Sequence, residues 1–280
     1  MTAEIVLIGK GHGAHAALHG LRLAFTNIDV VTDDPELIDM LQDNEAVKTF
    51  LDDSDAPIGV MAGSPEILSA EVLDKRPIFN VHYALLPRYR GYHPVVWAML
   101  NDEAEVGLTV HRADPDIDHG PVLYQYALPI TETTTSRDLM LGLNDHVAQT
   151  LGPVLRKFCD GSLETRKQDE GSAIWVPKRN RDDCLIDFDE PHRFLSLFFR
   201  ALVEPYPLPA LICRRGRFEV LQHRLISRDY RAHNGRVVNV SGDDAYIKTA
   251  DGLLVVSELR DENGKSVPAG SILKIGARLQ

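Results

Sequence analysis

Cysteine is scarce in this sequence, and so are long apolar runs. The 280 residues include three cysteines, Cys159, Cys184 and Cys213, which are widely spaced and form no CxxC pair. That usage gives no zinc or disulfide framework and favours a reducing compartment. No apolar run approaches the roughly 20 residues that span a bilayer, and residues 1–4 lack the basic region of a secretory signal peptide. We therefore expect a cytoplasmic protein with no membrane segment.

Positive charge is also in short supply. The chain has 30 Lys and Arg against 41 Asp and Glu, for a formal net charge of −11. Because binding to nucleic-acid phosphates needs a concentrated Lys and Arg surface, nucleic acid is disfavoured as a partner. The hydrophobic content of 44% and the charged content of 25% are ordinary for a globular protein with a sizeable core. The length allows one large domain or two smaller ones.

The first 160 residues alternate apolar runs with amphipathic stretches, which predicts a Rossmann-like α/β domain with a mostly parallel sheet. Buried strands are predicted at 5–8, 28–31, 58–63, 77–79, 107–111 and 122–125. Helical spacing predicts helices from the flexible turn at 9–14 to about residue 23, within 34–53, at 66–73 and from about 136 to 158.

The last third of the chain is rich in short alternating runs. These runs lie between residues 210 and 256, with a last apolar pair at Ile272-Leu273, and Arg-Gly, Ser-Gly-Asp-Asp and Asp-Gly turns separate them. The pattern predicts a small, OB-like β-barrel. We therefore predict an α/β catalytic domain at 1–163, a connector with one helix at 164–206 and a C-terminal barrel at 207–280.

The stretch from Asn80 to Pro94 follows a predicted buried strand and carries the chemistry. Asn80 and His82 leave the carboxyl end of that strand on the same side, because side chains two residues apart share a face. Ligands bind at that edge in open α/β sheets. Together with the later carboxylate of Asp118, an amide and an imidazole make a coherent set for acyl transfer: an oxyanion donor, a proton acceptor and an orienting group.

These residues and their neighbours resemble the signature of the folate-dependent formyltransferases. The matching segments are Asn80-x-His82, Leu85-Leu86-Pro87-x-x-Arg90-Gly91-x-x-Pro94-x-x-Trp97-Ala98, Gly107-x-Thr109-x-His111 and Ile117-Asp118-x-Gly120-Pro121-x-x-x-Gln125. One departure is Ala84, where such families usually have Ser. Because the flanking motif is intact, we expect a local packing change there without loss of chemistry.

That family includes methionyl-tRNA formyltransferase and enzymes that N-formylate nucleotide-linked sugars. The resemblance implies that the co-substrate is 10-formyltetrahydrofolate and that Asn80, His82 and Asp118 are catalytic. It also implies a set of folate-contacting residues, namely Glu66, Ile67, Leu68, Tyr92, Asp114, Pro115, Asp116 and Ile117. No metal is implied, and the aspartates at 114, 116 and 118 lack the following glycine and distal Glu of a calcium-binding EF-hand loop.

The acceptor is harder to predict. The acidic composition and the short link between Gly63 and Asn80 favour a nucleotide-linked amino sugar over methionyl-tRNA. The predicted acceptor contacts, which would meet an anionic group, are Lys10, His12, Arg179 and Arg181. An amino-acid amine of the hydroxyornithine type remains an alternative acceptor. A hydrolase that releases formate from the same donor is a less favoured alternative function. A homodimer is also compatible with the sequence.

A non-catalytic NAD-binding or ligand-binding module is the alternative from another class. Gly9-x-Gly11-x-x-Ala14, with acidic residues at 33 and 34, meets the dinucleotide-binding fingerprint. However, any first strand-to-helix turn in an α/β fold favours glycine. A non-catalytic relative also has no need to keep Asn80, His82 and Asp118 together, so the transferase interpretation is favoured.

Overall fold

The computed structural model describes residues 2–64, 66–228 and 230–280, which form two compact units. The first unit contains the residues up to Ala98, Ala104–Thr131 and Asp138–Lys178, and the second contains Met99–Glu103, Glu132–Arg137 and Arg179–Gln280. The three-part division of the chain at residues 163 and 206 stays a prediction. In the described residues, no helix has the length and apolar character needed to cross a membrane.

In the described residues, the strands of the first unit form a seven-stranded sheet and one separate pair. They are β1 (Ile5–Gly9), β2 (Ile28–Val31), β3 (Glu45–Lys48), β4 (Gly59–Ala62), β5 (Ile78–His82), β6 (Arg90–Gly91), β7 (Glu105–Arg112), β8 (Val122–Pro129) and β9 (Trp175–Val176). The sheet has the order β3-β2-β1-β4-β5-β7-β8, and β6 pairs separately with β9. β7 is antiparallel to β5 and β8, whereas the strands from β3 to β5 are parallel. The predicted Rossmann-like sheet is therefore confirmed.

Helices connect these strands. They are α1 (Gly11–Leu21), α2 (Pro35–Asp39), α3 (Ala70–Lys75), α4 (Pro94–Leu100) and α5 (Ser136–Cys159). The predicted long helix agrees with α5. β1 and β4 are buried along their whole length, as expected for parallel strands that have both faces covered.

Two predicted helices are wrong in extent. The stretch 34–53 contains the short α2, the edge strand β3 and a 3₁₀ turn at Leu51–Asp53. β3 pairs in parallel with β2, so hydrogen bonding to the sheet edge overrides the helical spacing of these residues. The helix predicted at 66–73 begins only at Ala70, and Glu66, Ile67 and Leu68 line a cavity instead.

The described part of the second unit is built on an antiparallel sheet. Its elements are α6 (His192–Ala201), β10 (Ala210–Cys213), β11 (Gly216–Ser227), β12 (Val237–Ser241), β13 (Asp244–Lys248), β14 (Gly252–Arg260), β15 (Ser266–Pro268) and α7 (Ala269–Ile272). The strand order is β10-β11-β14-β13-β12, with β15 on β14. The strand predicted at Ile272-Leu273 is wrong, because Ile272 is the last residue of α7.

The segment 276–280 closes this sheet into the predicted barrel. Gln280 exchanges backbone hydrogen bonds with Ile212 of β10, at 2.6 and 3.1 Å. The same segment pairs with Val237 of β12, whose N–H donates to the Ala277 carbonyl at 2.9 Å. The segment thereby gives each of the two edge strands a partner. Leu279 points into the barrel core and is 4% exposed.

Replacing Leu279 by Ala should destabilise the second unit by about 2–4 kcal/mol, because the change leaves a cavity in a packed core. The closing segment should then open more often. Hydrogen exchange at the Ile212 and Val237 amides, which this segment protects, measures the effect directly. Ile275→Ala is the matched control, since Ile275 is 65% exposed. Equal exchange rates in both variants and the wild type would contradict closure by this segment.

Candidate active site

A buried carboxylate, Asp118, lies at the centre of the site. Its Oδ1 accepts a hydrogen bond from Asn80 Nδ2 at 3.2 Å and lies 3.4 Å from His111 Nε2. Its Oδ2 accepts from the Gly91 N–H at 2.9 Å and lies 3.5 Å from His82 Nδ1. The structure thus brings together the three predicted catalytic residues. It adds His111 and Gly91, which belong to the sequence motif but had no predicted role.

The register of the sheet explains this convergence. Asn80 and His82 occupy alternate positions at the carboxyl end of β5, and Asn80 pairs directly with His111 on the antiparallel neighbour β7. Asn80 Nδ2 lies 3.3 Å from His111 Nε2. Asp118 reaches the same point from the loop between β7 and β8. Two strands and one loop therefore supply the side chains.

The charges of Asp118 and His82 depend on each other. Burial alone would raise the pKa of Asp118, but the His82 ring in its protonated form, the His111 ring and the Gly91 N–H together lower it to about 2. Burial lowers the pKa of His82, while the Asp118 carboxylate and the Tyr89 carbonyl act in the opposite direction. His82 is therefore held neutral by burial, beside an ionised carboxylate that favours its protonation.

The contacts of His82 assign its two ring nitrogens. Nε2 lies 2.8 Å from the Tyr89 carbonyl, and a carbonyl only accepts, so Nε2 carries the hydrogen in the neutral ring. Nδ1 is then unprotonated and faces Asp118 Oδ2 at 3.5 Å, which is longer than a normal hydrogen bond. Nδ1 is therefore the atom of His82 that can take up a proton.

The loops around the site contain unusual backbone conformations. Tyr89, His93 and Asp118 are non-glycine residues with positive φ, at 62°, 54° and 53°. Such conformations persist where the surroundings over-determine them, and they cluster at functional sites. Gly91 has a φ of 103°, and a Cβ atom there would lie 2.4 Å from the Val176 carbonyl oxygen. Gly91 is therefore required for the approach that brings its N–H to Asp118.

Two polar residues of the motif hold a loop and do not line the cavity. Thr109 Oγ1 donates to the Ala84 carbonyl at 2.6 Å and accepts from the Leu86 N–H at 3.1 Å. Gln125 Nε2 donates to Thr109 Oγ1 at 2.9 Å and to the Leu86 carbonyl at 2.8 Å. Thr109 and Gln125 thus fix the segment that leads to Tyr89, and Ala84 is buried within it.

A cavity of about 390 Å³ opens beside Asn80, His82 and Asp118. Of the predicted folate contacts, those that line it are Glu66, Ile67, Leu68, Tyr92, Asp114, Asp116 and Ile117. Pro115 lies in the same loop but is not part of the lining. Three of the lining side chains are apolar or aromatic and well exposed: Ile67 at 65%, and Tyr92 and Ile117 at 40% each.

A second cavity, of about 210 Å³, lies where β1 and β2 end. It is lined by Lys10 and by the hydroxyl-bearing residues Thr32, Thr49 and Ser64, and it shares Ser64 and Glu66 with the larger cavity. Lys10 Nζ lies 3.5 Å from the Asp33 carboxylate. The predicted contact Lys10 therefore faces a real cavity, whereas His12 is exposed on α1 and is not part of its lining.

A protein carboxylate occupies the N-terminus of α1. Asp34 Oδ2 accepts a hydrogen bond from the Gly11 N–H at 2.7 Å, and Asp34 also caps α2 through the Glu36 and Leu37 N–H groups. In dinucleotide-binding folds this helix terminus faces the pyrophosphate. A negative charge already held there disfavours the NAD interpretation of the glycine-rich turn.

The predicted contacts Arg179 and Arg181 lie in the second unit. The Arg179 guanidinium donates to the Asp183 carbonyl, and the Arg181 carbonyl accepts from Arg217 at 2.5 Å. Arg181 also lines a cavity of about 130 Å³ that contains Arg217 and Arg260. These contacts hold the charged segment together within its own unit.

Comparison with protein families gives two matches. The family described as "Formyl transferase" matches residues 11–155, which is a little over half of the chain, and "Formyl transferase, C-terminal domain" matches residues 178–276. A curated methionyl-tRNA formyltransferase from Granulibacter bethesdensis is 31% identical over 217 residues, which cover 77% of this chain and 67% of the relative.

Two solved structures with the same fold are a sugar formyl transferase and HypX. WlaRD, a sugar 3N-formyl transferase crystallised in the presence of dTDP and 5-N-formyl-THF, has a TM-score of 0.71 at 22% identity, over 91% of this chain and 97% of that one. HypX from Aquifex aeolicus, in complex with tetrahydrofolic acid, has a TM-score of 0.67 at 15% identity, over 98% and 47%. At these identities the likeness establishes the fold alone.

Replacing Asp118 by Asn should lower the free energy of unfolding at neutral pH by about 2–3 kcal/mol. The sign follows from a pKa of about 2 in the folded protein against roughly 3.9 for an unfolded aspartate. The stabilisation is therefore complete above about pH 4 and is lost as the pH falls towards 2. Urea unfolding of both proteins from pH 7 down to pH 3 measures the difference.

Asp116→Asn serves as the control for this comparison. Asp116 is an exposed carboxylate in the same loop, so its replacement should change the unfolding free energy by less than about 0.5 kcal/mol. If the difference between the wild type and Asp118→Asn stays constant from pH 7 to pH 3, the Asp118 carboxylate is not stabilised by its neighbours in the way described.

Proposed function

This chain belongs to the formyl transferase family, and we propose that it moves the formyl group of 10-formyltetrahydrofolate to the primary amine of a nucleotide-linked amino sugar. The observation that carries the proposal is the convergence of Asn80, His82 and Asp118 on the wall of one cavity. Formyl transfer to an amine needs these three groups, as an oxyanion donor, a proton acceptor and an orienting charge.

The larger cavity suits the folate donor. Its exposed apolar side chains, Ile67, Tyr92 and Ile117, offer flat contact to a ring system. The carboxylates of Glu66, Asp114 and Asp116 line the same space and can accept hydrogen bonds from the amino and ring N–H groups of a pterin. The volume of about 390 Å³ lies within the range of small-molecule sites.

The proposed reaction is a direct acyl transfer. The neutral amine attacks the formyl carbon, and Asn80 Nδ2–H donates to the oxygen as negative charge develops on it. His82 Nδ1 takes the proton that the amine nitrogen loses, and Asp118 stabilises the resulting imidazolium. Collapse of the tetrahedral intermediate restores the carbonyl and breaks the bond to N10 of the folate. N10 takes up a proton, so that the products are a formamide and tetrahydrofolate.

The charge of the chain supports a small acceptor. Residues 1–178 carry 14 Lys and Arg against 27 Asp and Glu, so the part that contains the site repels a polyanion. Lys10, beside the hydroxyls of Thr32 and Thr49, gives the second cavity one cation for a phosphate group and hydrogen-bonding groups for a sugar. The contacts predicted for His12, Arg179 and Arg181 stay predictions.

Methionyl-tRNA is the second candidate acceptor. The curated relative from Granulibacter bethesdensis carries the name methionyl-tRNA formyltransferase. Residues 179–280 carry 16 Lys and Arg against 14 Asp and Glu, so a polyanion would meet less repulsion there than on the rest of the chain. A transfer to tRNA would show the steep salt dependence of phosphate contacts, which a small acceptor does not share.

Replacing Asn80 by Ala should lower kcat by about 10²–10³-fold, because the change removes the donor to the developing oxyanion. The fold should survive, since Asn80 is only partly buried. Steady-state transfer from 10-formyltetrahydrofolate measures kcat, and circular dichroism checks the fold. Asn44→Ala, at a half-buried position outside the cavity lining, is the control and should keep wild-type kcat. A fall of less than about fivefold for Asn80→Ala would exclude the proposed role.

Isothermal calorimetry tests the ligands themselves. We expect 5-formyltetrahydrofolate to bind the wild type and to bind more tightly in the presence of one nucleotide or nucleotide-sugar from a panel. Lys10→Ala should weaken nucleotide binding about tenfold or more and leave folate binding unchanged. Lys157→Ala, an exposed lysine outside both cavities, should change neither.

The other outcomes decide among the alternatives. Formylation of methionyl-tRNA, with an affinity that falls steeply with salt, would select the second candidate acceptor. Binding of NAD without binding of the folate would overturn the transferase proposal as a whole.

A further inference from the structure

We call the segment from Arg166 to Val176 the strap. It is hydrogen-bonded next to the loop between β7 and β8, which carries Asp118 and is called the Asp118 loop, and also to β6, which carries Gly91. Arg166 exchanges two backbone hydrogen bonds with Val122, each of 2.8 Å, just after the Asp118 loop. Ten residues later, β9 pairs in parallel with β6, which holds Arg90 and Gly91. The strap belongs to the first unit. It therefore joins the Asp118 loop to β6, and the Gly91 N–H of β6 bonds the Asp118 carboxylate.

One strap side chain, Gln168, has its whole amide group engaged by these loops. Its Nε2 donates to the Asp118 carbonyl at 2.9 Å and to the Gly120 carbonyl at 2.7 Å. Its Oε1 accepts from the Arg90 guanidinium, at 2.8 Å from Nη2 and 3.3 Å from Nε. A single amide thus ties the main chain of the Asp118 loop to the neighbour of Gly91.

The Asp118 loop needs such support from outside. Asp118 has a φ of 53°, which is unfavourable for a residue with a side chain. At Gly120 a Cβ atom would lie 1.9 Å from the Arg112 carbonyl oxygen, so the loop runs tightly against the end of β7. The two carbonyls that Gln168 bonds flank this tight passage, and their hydrogen bonds fix the orientation of the peptide groups on either side of it.

The anchor on the other side, Arg90, is buried and held by several contacts. Arg90 is 1% exposed, forms a bidentate ion pair with Glu170 at 2.6 and 2.8 Å, and lies over the Trp175 ring at 5.1 Å. The next residue, Gly91, donates its N–H to Asp118 Oδ2. Gln168 therefore holds the main chain of Asp118 to Arg90, the neighbour of the Gly91 residue whose N–H holds its carboxylate.

We propose that Gln168 is a positioning residue that fixes the Asp118 carboxylate relative to His82. The kinetic part of this inference rests on the proposed function. A displacement of about 1 Å in a group that orients a catalytic side chain costs on the order of 10²-fold in rate. Gln168 contributes no atom to the cavity lining, so its loss should lower kcat and leave the KM values for both substrates nearly unchanged.

Two substitutions at Gln168 separate its contacts. Gln168→Met keeps the length of the side chain and removes every hydrogen bond. Gln168→Glu keeps the acceptor for Arg90 and cannot donate to the Asp118 and Gly120 carbonyls. Both should lower kcat by about 10–100-fold, with KM changed by less than about threefold. Lys167→Met is the matched control, because Lys167 is the exposed neighbour on the strap, and it should retain wild-type kcat.

The titration of His82 gives a readout that does not depend on activity. The charged and titratable groups that face His82 are Asp118 and His111, and the Tyr89 carbonyl bonds its Nε2. When Asp118 moves away in Gln168→Met, the pKa of His82 should fall below its wild-type value. NMR of ring-labelled histidine follows this change in the folded protein, and thermal unfolding confirms that the variant is folded.

The outcomes distinguish the two proposals. If the Gln168 variants are folded and retain both wild-type kcat and the wild-type His82 titration, Gln168 has no positioning role. If Lys167→Met loses as much activity as Gln168→Met, the strap acts only as a structural segment. If the wild type transfers no formyl group to any acceptor, the proposed function fails, while the His82 titration still decides whether Gln168 positions Asp118.

Discussion

The buried Asp118 carboxylate is the constraint on which the rest of the site depends. An ionised group that is only 9% exposed is tolerated only if hydrogen bonds and opposite charges replace the lost water. Those partners come from β5, from β7 and from Gly91 of β6, so the three elements must meet wherever the carboxylate lies. The same charge then acts on His82, whose burial favours the neutral ring. Assembly of the site and the protonation balance of His82 therefore have one physical cause.

Thr109, Gln125 and Gln168 are polar residues that do not face the cavity, and their hydrogen bonds hold loops of unfavourable conformation. Thr109 and Gln125 fix the segment before Tyr89, whose carbonyl in turn fixes the tautomer of His82. Gln168 does the same for Asp118 through main-chain carbonyls. Each of these side chains satisfies buried backbone groups that have no partner in a helix or sheet. The positions of the site residues are therefore fixed by hydrogen bonds from side chains that lie behind the cavity wall.

Local sequence pattern predicted the parts of this fold and site that depend on neighbours in the chain. The spacing of Asn80 and His82 at the end of a strand, the long α5 and the alternation of the barrel strands are of this kind. The role of His111 depends on the register of β5 against β7, and that of Gln168 on a contact 50 residues away, and no local pattern encodes either. At 34–53 the helical spacing was misleading, because pairing of β3 with the sheet edge replaced it.

The balance between the neutral and protonated forms of His82 bears on how an amine could react in the first unit, which has an excess of acidic residues. In the proposed reaction, the carboxylates of Glu66, Asp114 and Asp116 in the larger cavity favour the protonated form of an amine, which is not a nucleophile. The site must therefore accept a proton readily without holding one at rest. Burial keeps His82 neutral, and the unprotonated Nδ1 faces an anion that stabilises the imidazolium once it forms. A site with less burial would leave the ring charged beside Asp118 and unable to act as a base, whereas one without Asp118 would leave the imidazolium without a partner.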